Sequence, residues 1–291
     1  MIAVTGANGQ FGTLVIEGLL KKVPAGEIVA VVRKPAESST LQQLGVQVRQ
    51  GDYDQFETLA AAFQGVEKVL LISAVVPGQR LRQHKAVIDE AKTAGVTFVA
   101  YTSMLNADTS THMLAAEHLA TEQYLFRSGL KFALLRNAWY LDNHIGMVDA
   151  ALQHGALVGS AGEGRFASAT RADLAQAAVE VLTKSGQSKR TYELAGDSSF
   201  SMGEFAQEIA RAAGKRIVYN ELQPEAYRTL LTDLGLPSII VDVLVDADLK
   251  ARLGDFDSSS KDLSQLIGHS TTTLSEAVTV AVSGGKSNRA V

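Results

Sequence analysis

The chemistry that this sequence could support begins with three glycines near its start, Gly6, Gly9 and Gly12. They follow a short apolar run, residues 2–4, and precede apolar residues at helical spacing, residues 14–20. In such a strand–turn–helix unit the first glycine permits a tight turn, the second lets the backbone approach a pyrophosphate, and the third lets helix and strand pack closely. Free N–H groups and the helix dipole then attract the anion. The spacing predicts a dinucleotide site; the alternative is an ordinary turn with chance glycines.

Two basic residues, Arg33 and Lys34, follow the second predicted strand, residues 28–32. An acidic residue at this place binds the ribose 2′-hydroxyl of NAD, whereas a basic residue accommodates the 2′-phosphate of NADP. No carboxylate stands here, so the sequence favours NADPH. A solvated basic loop is the alternative.

Other small and polar residues follow the third and fourth predicted strands. Asp52 could accept a hydrogen bond from the adenine amino group, or it could cap the next helix. Ser73, Ala74 and Val75 come directly after the apolar residues 68–72. Because ligands of open parallel sheets bind beyond the carboxyl ends of the strands, these small residues are predicted to let the cofactor cross the sheet edge.

The helix predicted over residues 113–128 is where short-chain reductases carry a Tyr-x-x-x-Lys pair for proton transfer. This helix has Tyr124, but Ser128 stands in place of the lysine. His118 on the same helix could donate a proton near neutral pH or could simply pack in the core. His84, on the preceding predicted helix, is interpreted as a surface or packing residue.

The stretch 137–143 is unusual because it places the only tryptophan directly after a buried strand. Asn137, Trp139 and Tyr140 could form an aromatic wall for a flat, apolar acceptor beside the cofactor, or they could cap a helix and fill the core. Further on, Thr170 and Arg171 either approach the cofactor or cap the helix that follows them.

Composition narrows the class of protein. The chain has 291 residues, 46% hydrophobic and 20% charged, with a net charge of −4 and no cysteine. Disulfides, thiolate metal sites and cysteine nucleophiles are therefore excluded, and no metal site is predicted. The charge gives no indication of a nucleic-acid partner, and the apolar runs are too short for membrane insertion. A cytoplasmic protein without a secretory signal is expected.

Alternating apolar strands and helices predict an α/β fold, a Rossmann-type doubly wound parallel sheet with a smaller, α-rich C-terminal substrate domain. The nucleotide domain is predicted over residues 1–137 plus part of 150–185. The smaller domain is predicted over 138–150 and 186–282, and residues 283–291 as a frayed tail. The glycine-rich residues 155–166 are predicted to form a turn or hairpin.

The chain resembles the NmrA-like family of atypical short-chain dehydrogenase/reductases, and within it the bacterial NAD(P)H:quinone oxidoreductase branch to which triphenylmethane reductase is related. The motifs that carry this resemblance run over nearly the whole chain, and the most selective are Asn-Ala-Trp-Tyr at 137–140 and Ala-Thr-Arg-Ala-Asp at 169–173. Asn8 stands where these proteins usually have threonine, and His118 where some relatives have lysine.

The resemblance implies NADPH held by the glycine loop, the basic residue after the second strand and the segments at 73–75, 137 and 169. Together with the reasoning above, the candidate cofactor-binding residues are Gly6, Ala7, Asn8, Gly9, Gln10, Phe11, Arg33, Asp52, Ser73, Ala74, Val75, Asn137, Trp139, Tyr140, Ala169, Thr170 and Arg171.

The expected activity is hydride transfer from NADPH to a quinone or similar conjugated small molecule. A quinone accepts hydride readily, so strong acid catalysis is less necessary, and His118, Asn137 or water could supply the proton. A non-catalytic redox sensor that binds NADP(H) is the alternative. An epimerase or carbonyl reductase is disfavoured by the missing Tyr-x-x-x-Lys pair. The sequence leaves the oligomeric state open.

Overall fold

Eleven strands occur in the computed structural model, which describes residues 1–287. In chain order they are β1 (Ile2–Thr5), β2 (Ile28–Val32), β3 (Gln47–Gln50), β4 (Lys68–Leu71), β5 (Phe98–Met104), β6 (Lys131–Asn137), β7 (Ala156–Gly159), β8 (Arg165–Phe166), β9 (Arg190–Leu194), β10 (Phe200–Ser201) and β11 (Val218–Glu221). Seven of them form one sheet in the order β3-β2-β1-β4-β5-β6-β9. Every pair in this sheet is parallel, so the predicted Rossmann-type sheet is confirmed.

Thirteen α-helices connect the strands over the same residues. They are α1 (Gln10–Leu20), α2 (Ser39–Gln43), α3 (Phe56–Ala62), α4 (Arg80–Thr93), α5 (Ala115–Arg127), α6 (Leu141–Ile145), α7 (Val148–His154), α8 (Arg171–Thr183), α9 (Met202–Ala213), α10 (Pro224–Asp233), α11 (Ser238–Ala251), α12 (Asp262–Ile267) and α13 (Leu274–Ser287).

The five central strands, β2, β1, β4, β5 and β6, are buried on both faces because most of their side chains are apolar. Val4 faces a core that includes residues of α1, α8 and α12. Its neighbour Ala3 faces the opposite core, which includes residues of α3, α4 and α5. This alternation places helices on both sides of the sheet and brings the carboxyl ends of β1, β4, β5 and β6 to one edge.

A second unit contains its own core beyond that edge. It includes Leu141 of α6, Phe205 of α9, Ala247 of α11 and Val278 of α13. Strand β7 pairs in parallel with β11, and β8 pairs antiparallel with β10. Of the two alternatives predicted for residues 155–166, a turn joins β7 to β8, whereas the hairpin is wrong because each of these short strands pairs with one far along the chain. Helices α10 and α11 share a smaller cluster around Tyr227 and Val241.

Two elements from residues 186–282 lie on the main sheet. Strand β9 pairs with β6, and α12 inserts Leu263 and Ile267 into the core beneath α8. Strand β9 is polar at its start because it is an edge strand, with Arg190 and Thr191 exposed. Residues 283–287 of the predicted tail continue α13, and 288–291 lie outside the described residues. Among residues 1–287, no helix has the length and apolar character needed to cross a bilayer.

Candidate active site

The glycine loop joins β1 to α1 in the geometry that its spacing predicts. Gly6 has φ +60°, and a β-carbon on Gly12 would lie 2.5 Å from the Gly6 carbonyl oxygen, so only glycine fits there. Gly9 is the N-cap of α1, and its N–H donates to Gly6 O at 3.0 Å. No side chain caps α1 and its first turn holds no acidic residue, so its end remains favourable for an anion.

Asn8 connects this loop to the segment after β2. Its Nδ2 donates to Ser38 Oγ at 2.6 Å, and Ser38 Oγ donates to the Lys34 carbonyl oxygen at 3.1 Å. The Lys34 ammonium is paired with Glu37 at 2.9 Å. Arg33 is exposed and, within residues 1–287, hydrogen-bonds to no side chain or backbone group. Of the two predicted basic residues, Arg33 is thus the one whose charge is available.

Asp52 forms a turn rather than the cap of α3. Its Oδ1 accepts from the backbone N–H of Asp54 at 3.0 Å, while Gln55 is the N-cap residue of α3. The pKa of Asp54 is lowered by its hydrogen bonds and charge interaction with Arg82, and the charge of Arg33 adds to this effect. Arg33 is therefore close enough to the 52–54 turn to affect its charge, and the role of Asp52 at the adenine stays a prediction.

The segment 73–75 is held by buried polar groups. The N–H of Ser73 donates to Thr102 Oγ1 at 2.8 Å, and Arg80 Nε donates to Ser73 Oγ at 2.9 Å and to the Ala74 carbonyl oxygen at 3.0 Å. Val75 projects into solvent with 85% of its surface exposed. The segment predicted to let the cofactor cross the sheet edge is thus a loop held by hydrogen bonds, with the exposed apolar side chain of Val75 at its tip.

His84, interpreted from the sequence as a surface or packing residue, is fully buried beneath this loop. Its Nε2 accepts from the Ala74 N–H at 2.9 Å, so the ring proton resides on Nδ1, which faces Thr121 Oγ1 at 3.1 Å. Burial, assisted by the charge of Arg80, lowers the pKa of His84 to about 3. A neutral imidazole thus positions the predicted cofactor loop.

Asn137 ends β6 with a buried amide that lacks a partner. Its side-chain Oδ1 and Nδ2 both make no hydrogen bond within residues 1–287. Leaving one buried polar group unpaired costs about 1–3 kcal/mol, so such groups usually mark a place where a ligand or water supplies the partner. Its position at the carboxyl edge of the sheet fits a bound cofactor or substrate.

Three predicted residues meet beside Asn137. The rings of Phe11 and Tyr140 stack at 6.2 Å, and the Arg171 guanidinium lies 4.5 Å from the Tyr140 ring centre. Burial raises the pKa of Tyr140, and the neighbouring Asn137 amide and Arg171 charge oppose this rise. The glycine loop, the end of β6 and the start of α8 thus converge at one place.

Trp139 faces a different group of residues. Its ring packs edge-on against His112 at 6.2 Å and against Phe256 at 5.4 Å. It therefore belongs to the second unit rather than to the stack around Tyr140, and its predicted contact with the cofactor stays a prediction.

Ala169, Thr170 and Arg171 shape the start of α8. Ala169 is buried, and its carbonyl oxygen accepts from the Leu141 N–H at 2.9 Å. Thr170 Oγ1 accepts from the Asp173 N–H at 3.1 Å and so caps α8, which is the capping alternative of the sequence analysis. Arg171 Nη2 donates to Asn143 Oδ1 at 2.7 Å.

A cleft of about 700 Å³ lies between the start of α1 and helix α6. Its walls are Asn8, Gln10, Thr13, Leu14, Asp142, Ile145, Gly146 and Arg171. Because three of the predicted cofactor residues line it, the structure joins the glycine loop and the start of α8 across one cleft.

His118 is buried and paired. Its Nδ1 lies 2.8 Å from Tyr101 Oη, and burial, with the charge of Arg80, holds its pKa well below the usual range. The imidazole is therefore neutral at neutral pH. It can hydrogen-bond, but it holds no second proton to release, and its role as proton donor stays a prediction.

The sequence analysis missed the ion pairs that hold the end of β6. Arg136 Nη2 binds Glu122 at 2.7 Å, while its Nη1 binds Asp108 at 2.8 Å and Glu193 at 2.7 Å. These bonds tie β6 to α5 and β9 immediately before Asn137. An arginine in an otherwise apolar strand was the available signal.

Comparison with known proteins agrees with this geometry. Residues 6–185 match a family of NAD(P)H-binding proteins. The chain belongs to this family. It is 50% identical over 278 residues to quinone oxidoreductase 2 of Escherichia coli strain K12, covering 96% of this chain and 97% of that protein. The predicted resemblance and the NAD(P)H cofactor are thus confirmed.

Two solved structures match nearly the whole chain. The NADPH-dependent quinone oxidoreductase of Escherichia coli in complex with NADPH has a TM-score of 0.94 and 49% identity, covering 96% of this chain and 99% of that one. The triphenylmethane reductase of Citrobacter sp. in complex with NADP(H) has a TM-score of 0.93 and 40% identity, covering 97% and 100%.

Proposed function

We propose that this protein is an NADPH-dependent reductase that transfers hydride to a quinone or a similar conjugated small molecule. The observation that carries the proposal is the buried, unpaired amide of Asn137, which lies beside the Phe11–Tyr140 stack at the carboxyl edge of an NAD(P)H-binding sheet. The similarity to a quinone oxidoreductase over most of the chain supports this class of acceptor.

The residues present fit a dinucleotide. In this proposal the uncapped start of α1 binds the pyrophosphate, with Gly6 to Phe11 around it, and Arg33 binds the 2′-phosphate. Ser73, Ala74 and Val75 carry the cofactor across the sheet edge, and Tyr140, Thr170 and Arg171 border it from the other side. Bound NADPH supplies the hydride.

In this proposal Asn137 supplies the polar groups that bind the cofactor or the acceptor. Its Nδ2 donates a hydrogen bond to the cofactor amide or to the acceptor oxygen, and its Oδ1 can accept one from the N–H of the cofactor amide. Such a donor stabilises negative charge that develops on the acceptor without giving up a proton. Because His118 is neutral, a proton for the reduced acceptor comes from water or passes through the His118–Tyr101 hydrogen bond.

The test is the loss of NADPH absorbance with benzoquinone and naphthoquinone acceptors, run beside calorimetric titrations of NADPH and NADP. We expect turnover with several quinones and weaker use of NADH. Tight binding of NADPH without turnover across the acceptor panel would contradict the reductase and favour the redox-sensor alternative. The cytoplasmic location stays a prediction.

A further inference from the structure

A second cavity, of about 60 Å³, lies between the end of β6 and helices α10 and α11. Its lining includes Trp139, His144, Phe166, Tyr227, Ala247 and Asp248. Most of these side chains are apolar or aromatic, and a few carry polar atoms. That combination is typical of sites for small flat ligands.

His144 presents a polar atom without a partner. The side chain is only 5% exposed, and its Nε2 is buried and hydrogen-bonds to nothing within residues 1–287. The rings of Phe166 and Phe200 pack edge-on against the imidazole at 4.9 and 5.3 Å. Burial lowers the pKa of His144 to about 4, so the ring is neutral and carries one N–H. A neutral imidazole with its proton on Nε2 is a hydrogen-bond donor.

The cavity also contains a carboxyl group in an apolar setting. Asp248 Oδ2 accepts from the Ser160 N–H at 2.7 Å, and burial raises the pKa of Asp248 to about 6. A ligand in this cavity would therefore meet two polar side chains on aromatic and aliphatic walls.

The cavity borders the cleft at the glycine loop. Asn143 lines the cavity, and its Oδ1 accepts from Arg171, which lines the cleft. Trp139 lies two residues beyond Asn137 in the chain, at the same edge of the sheet. The two spaces therefore share a wall where the cofactor residues and the second unit meet.

We propose that this cavity receives the ring of the acceptor and that His144 Nε2 donates a hydrogen bond to one of its carbonyl oxygens. The proposal rests on the reductase function above for the identity of the ligand. In this proposal the single ring proton of His144 resides on Nε2. A carbonyl oxygen, which only accepts hydrogen bonds, then pairs with this N–H and removes the cost of burying it.

Entry of a ring requires additional room. A volume of about 60 Å³ holds only a few waters, since one water needs about 10–15 Å³ of such space. Helices α10 and α11 pack on each other through Tyr227, Leu231, Val241 and Val245, while Ala247 and Ala251 of α11 also pack in the main core of the second unit. A ring that needs more room than this must therefore displace α10 and the side of α11 that faces it, against the packing of Ala247 in the core.

Trp139 provides the readout, because it is the only tryptophan and lines the cavity. Oxidised 2-methyl-1,4-naphthoquinone is titrated into the protein without NADPH, with Trp139 fluorescence corrected for ligand absorbance and calorimetry run in parallel. We expect saturable quenching in the wild type. His144→Leu is expected to raise the Kd about tenfold, as for one lost hydrogen bond, and His144→Gln, which retains an N–H donor, to raise it less.

A second variant tests the cavity without changing His144. Ala247→Leu fills the space from α11 and is expected to abolish saturable quenching. Ala150→Leu makes the same change on the exposed face of α7 and is expected to leave the Kd unchanged. Thermal unfolding of each variant checks that it is folded.

The outcomes separate the two proposals. Quinone turnover with NADPH but no quenching of Trp139 fluorescence would show that the acceptor binds elsewhere, and this inference would be overturned. The same holds if His144→Leu and Ala247→Leu bind the quinone with the Kd of the wild type. If binding depends on both residues but no quinone is reduced, the site stands and the reductase function falls.

Discussion

At the glycine loop the polar groups that matter are backbone N–H groups beside an open cleft, whereas in the cavity beside Trp139 they are ionisable side chains held out of water. The loop needs no titratable residue, because the helix end itself attracts a phosphate. The cavity holds His144 and Asp248, whose pKa values shift in opposite directions through burial. A site for a fixed anion can thus be made from backbone alone, while a site for a neutral ring needs side chains in a dry setting.

The two regions also differ in how much change they tolerate. Gly12 is fixed by contacts of 2.5 Å and 2.7 Å that a β-carbon would make with the Gly6 carbonyl oxygen and Ala7 Cα. The cavity beneath α10 and α11 has spare volume, about 60 Å³. We therefore expect substitutions at the loop to affect folding and those at the cavity to affect recognition.

The largest effect is expected from Gly12→Ala. The new methyl group would force the loop away from α1, and the free energy of unfolding should fall by about 3 kcal/mol, with NADPH binding lost. Urea unfolding and NADPH titration measure both. Gly26→Ala is the control, because a β-carbon there meets nothing within 4 Å. Equal stability of Gly12→Ala and wild type would contradict the close approach of loop and helix.

The acid dependence of stability should distinguish the two cavity residues. Between pH 4 and 6.5 the unfolded chain protonates His144 and the folded one does not, so this group removes stability as the pH falls. Between pH 3.8 and 6 only the folded state protonates Asp248, so that group adds stability as the pH falls. Each effect is about 1.4 kcal/mol per pH unit, and the two nearly cancel.

Single substitutions should reveal this cancellation. Asp248→Asn is expected to steepen the loss of stability toward pH 4, and His144→Gln to flatten it, as measured by urea unfolding at several pH values. At the cofactor edge His84 titrates in the same direction as His144, with no raised carboxyl among its partners. If both cavity variants kept the wild-type slope, these side chains would be solvated rather than buried.

Arg33→Ala should reduce the preference for NADPH over NADH by about tenfold to a hundredfold, the value of a charged hydrogen bond. Lys34→Ala is the matched control, because Lys34 is already paired with Glu37. The ratio of kcat/KM for the two coenzymes is the measurement. An unchanged ratio in Arg33→Ala would remove the assignment of this residue to the 2′-phosphate.

Asn137→Leu should separate stability from function. Replacing the unpaired amide with an apolar group of similar size is expected to stabilise the cofactor-free protein by about 1–2 kcal/mol, while kcat/KM for quinone falls at least tenfold. Asn220→Leu on the exposed part of β11 should do neither. Loss of stability in Asn137→Leu would indicate that the amide has a structural partner instead.

Two helix caps give the smallest expected effect. Thr170→Ala at α8 and Ser201→Ala at α9 should each cost about 1 kcal/mol, since both side chains accept from a first-turn N–H. Only Thr170→Ala should also raise the KM for NADPH, because α8 begins beside the cleft. If the KM for NADPH is the same in both variants, Thr170 caps α8 and does not contribute to cofactor binding.

The cofactor-binding region around the glycine loop could be predicted from the sequence because its signals are local. The glycines lie within one turn, and Arg33 follows its strand directly, so spacing alone predicts their arrangement. The buried parallel strands could likewise be predicted from their apolar composition. Asn137 was singled out by its position, but its lack of a partner depends on every neighbour and needed the structure.

The cavity beside Trp139 could not be predicted from the sequence in this way. His144 and Asp248 come from helices far apart in the chain and line the same cavity only in the folded protein, in which β7 pairs with β11. The sequence predicts His84 as a surface or packing residue. Its hydrogen bond with the Ala74 N–H depends on the orientation of one ring nitrogen and could not be predicted. Long-range pairing and hydrogen-bond direction leave no pattern in a single sequence.

The packing of α1 on α8 has a consequence for the order in which this chain can fold. A β-carbon on Gly18 of α1 would lie 2.8 Å from Val179 Cγ2 of α8, so the two helices lie very close. During synthesis α1 emerges early, and the side of it that packs on α8 stays uncovered until α8 follows. Completion of the sheet by β9 and of this layer by α12 comes later still. A nascent chain released before residue 183 would therefore expose this face, and holding chaperones would be expected to bind it there.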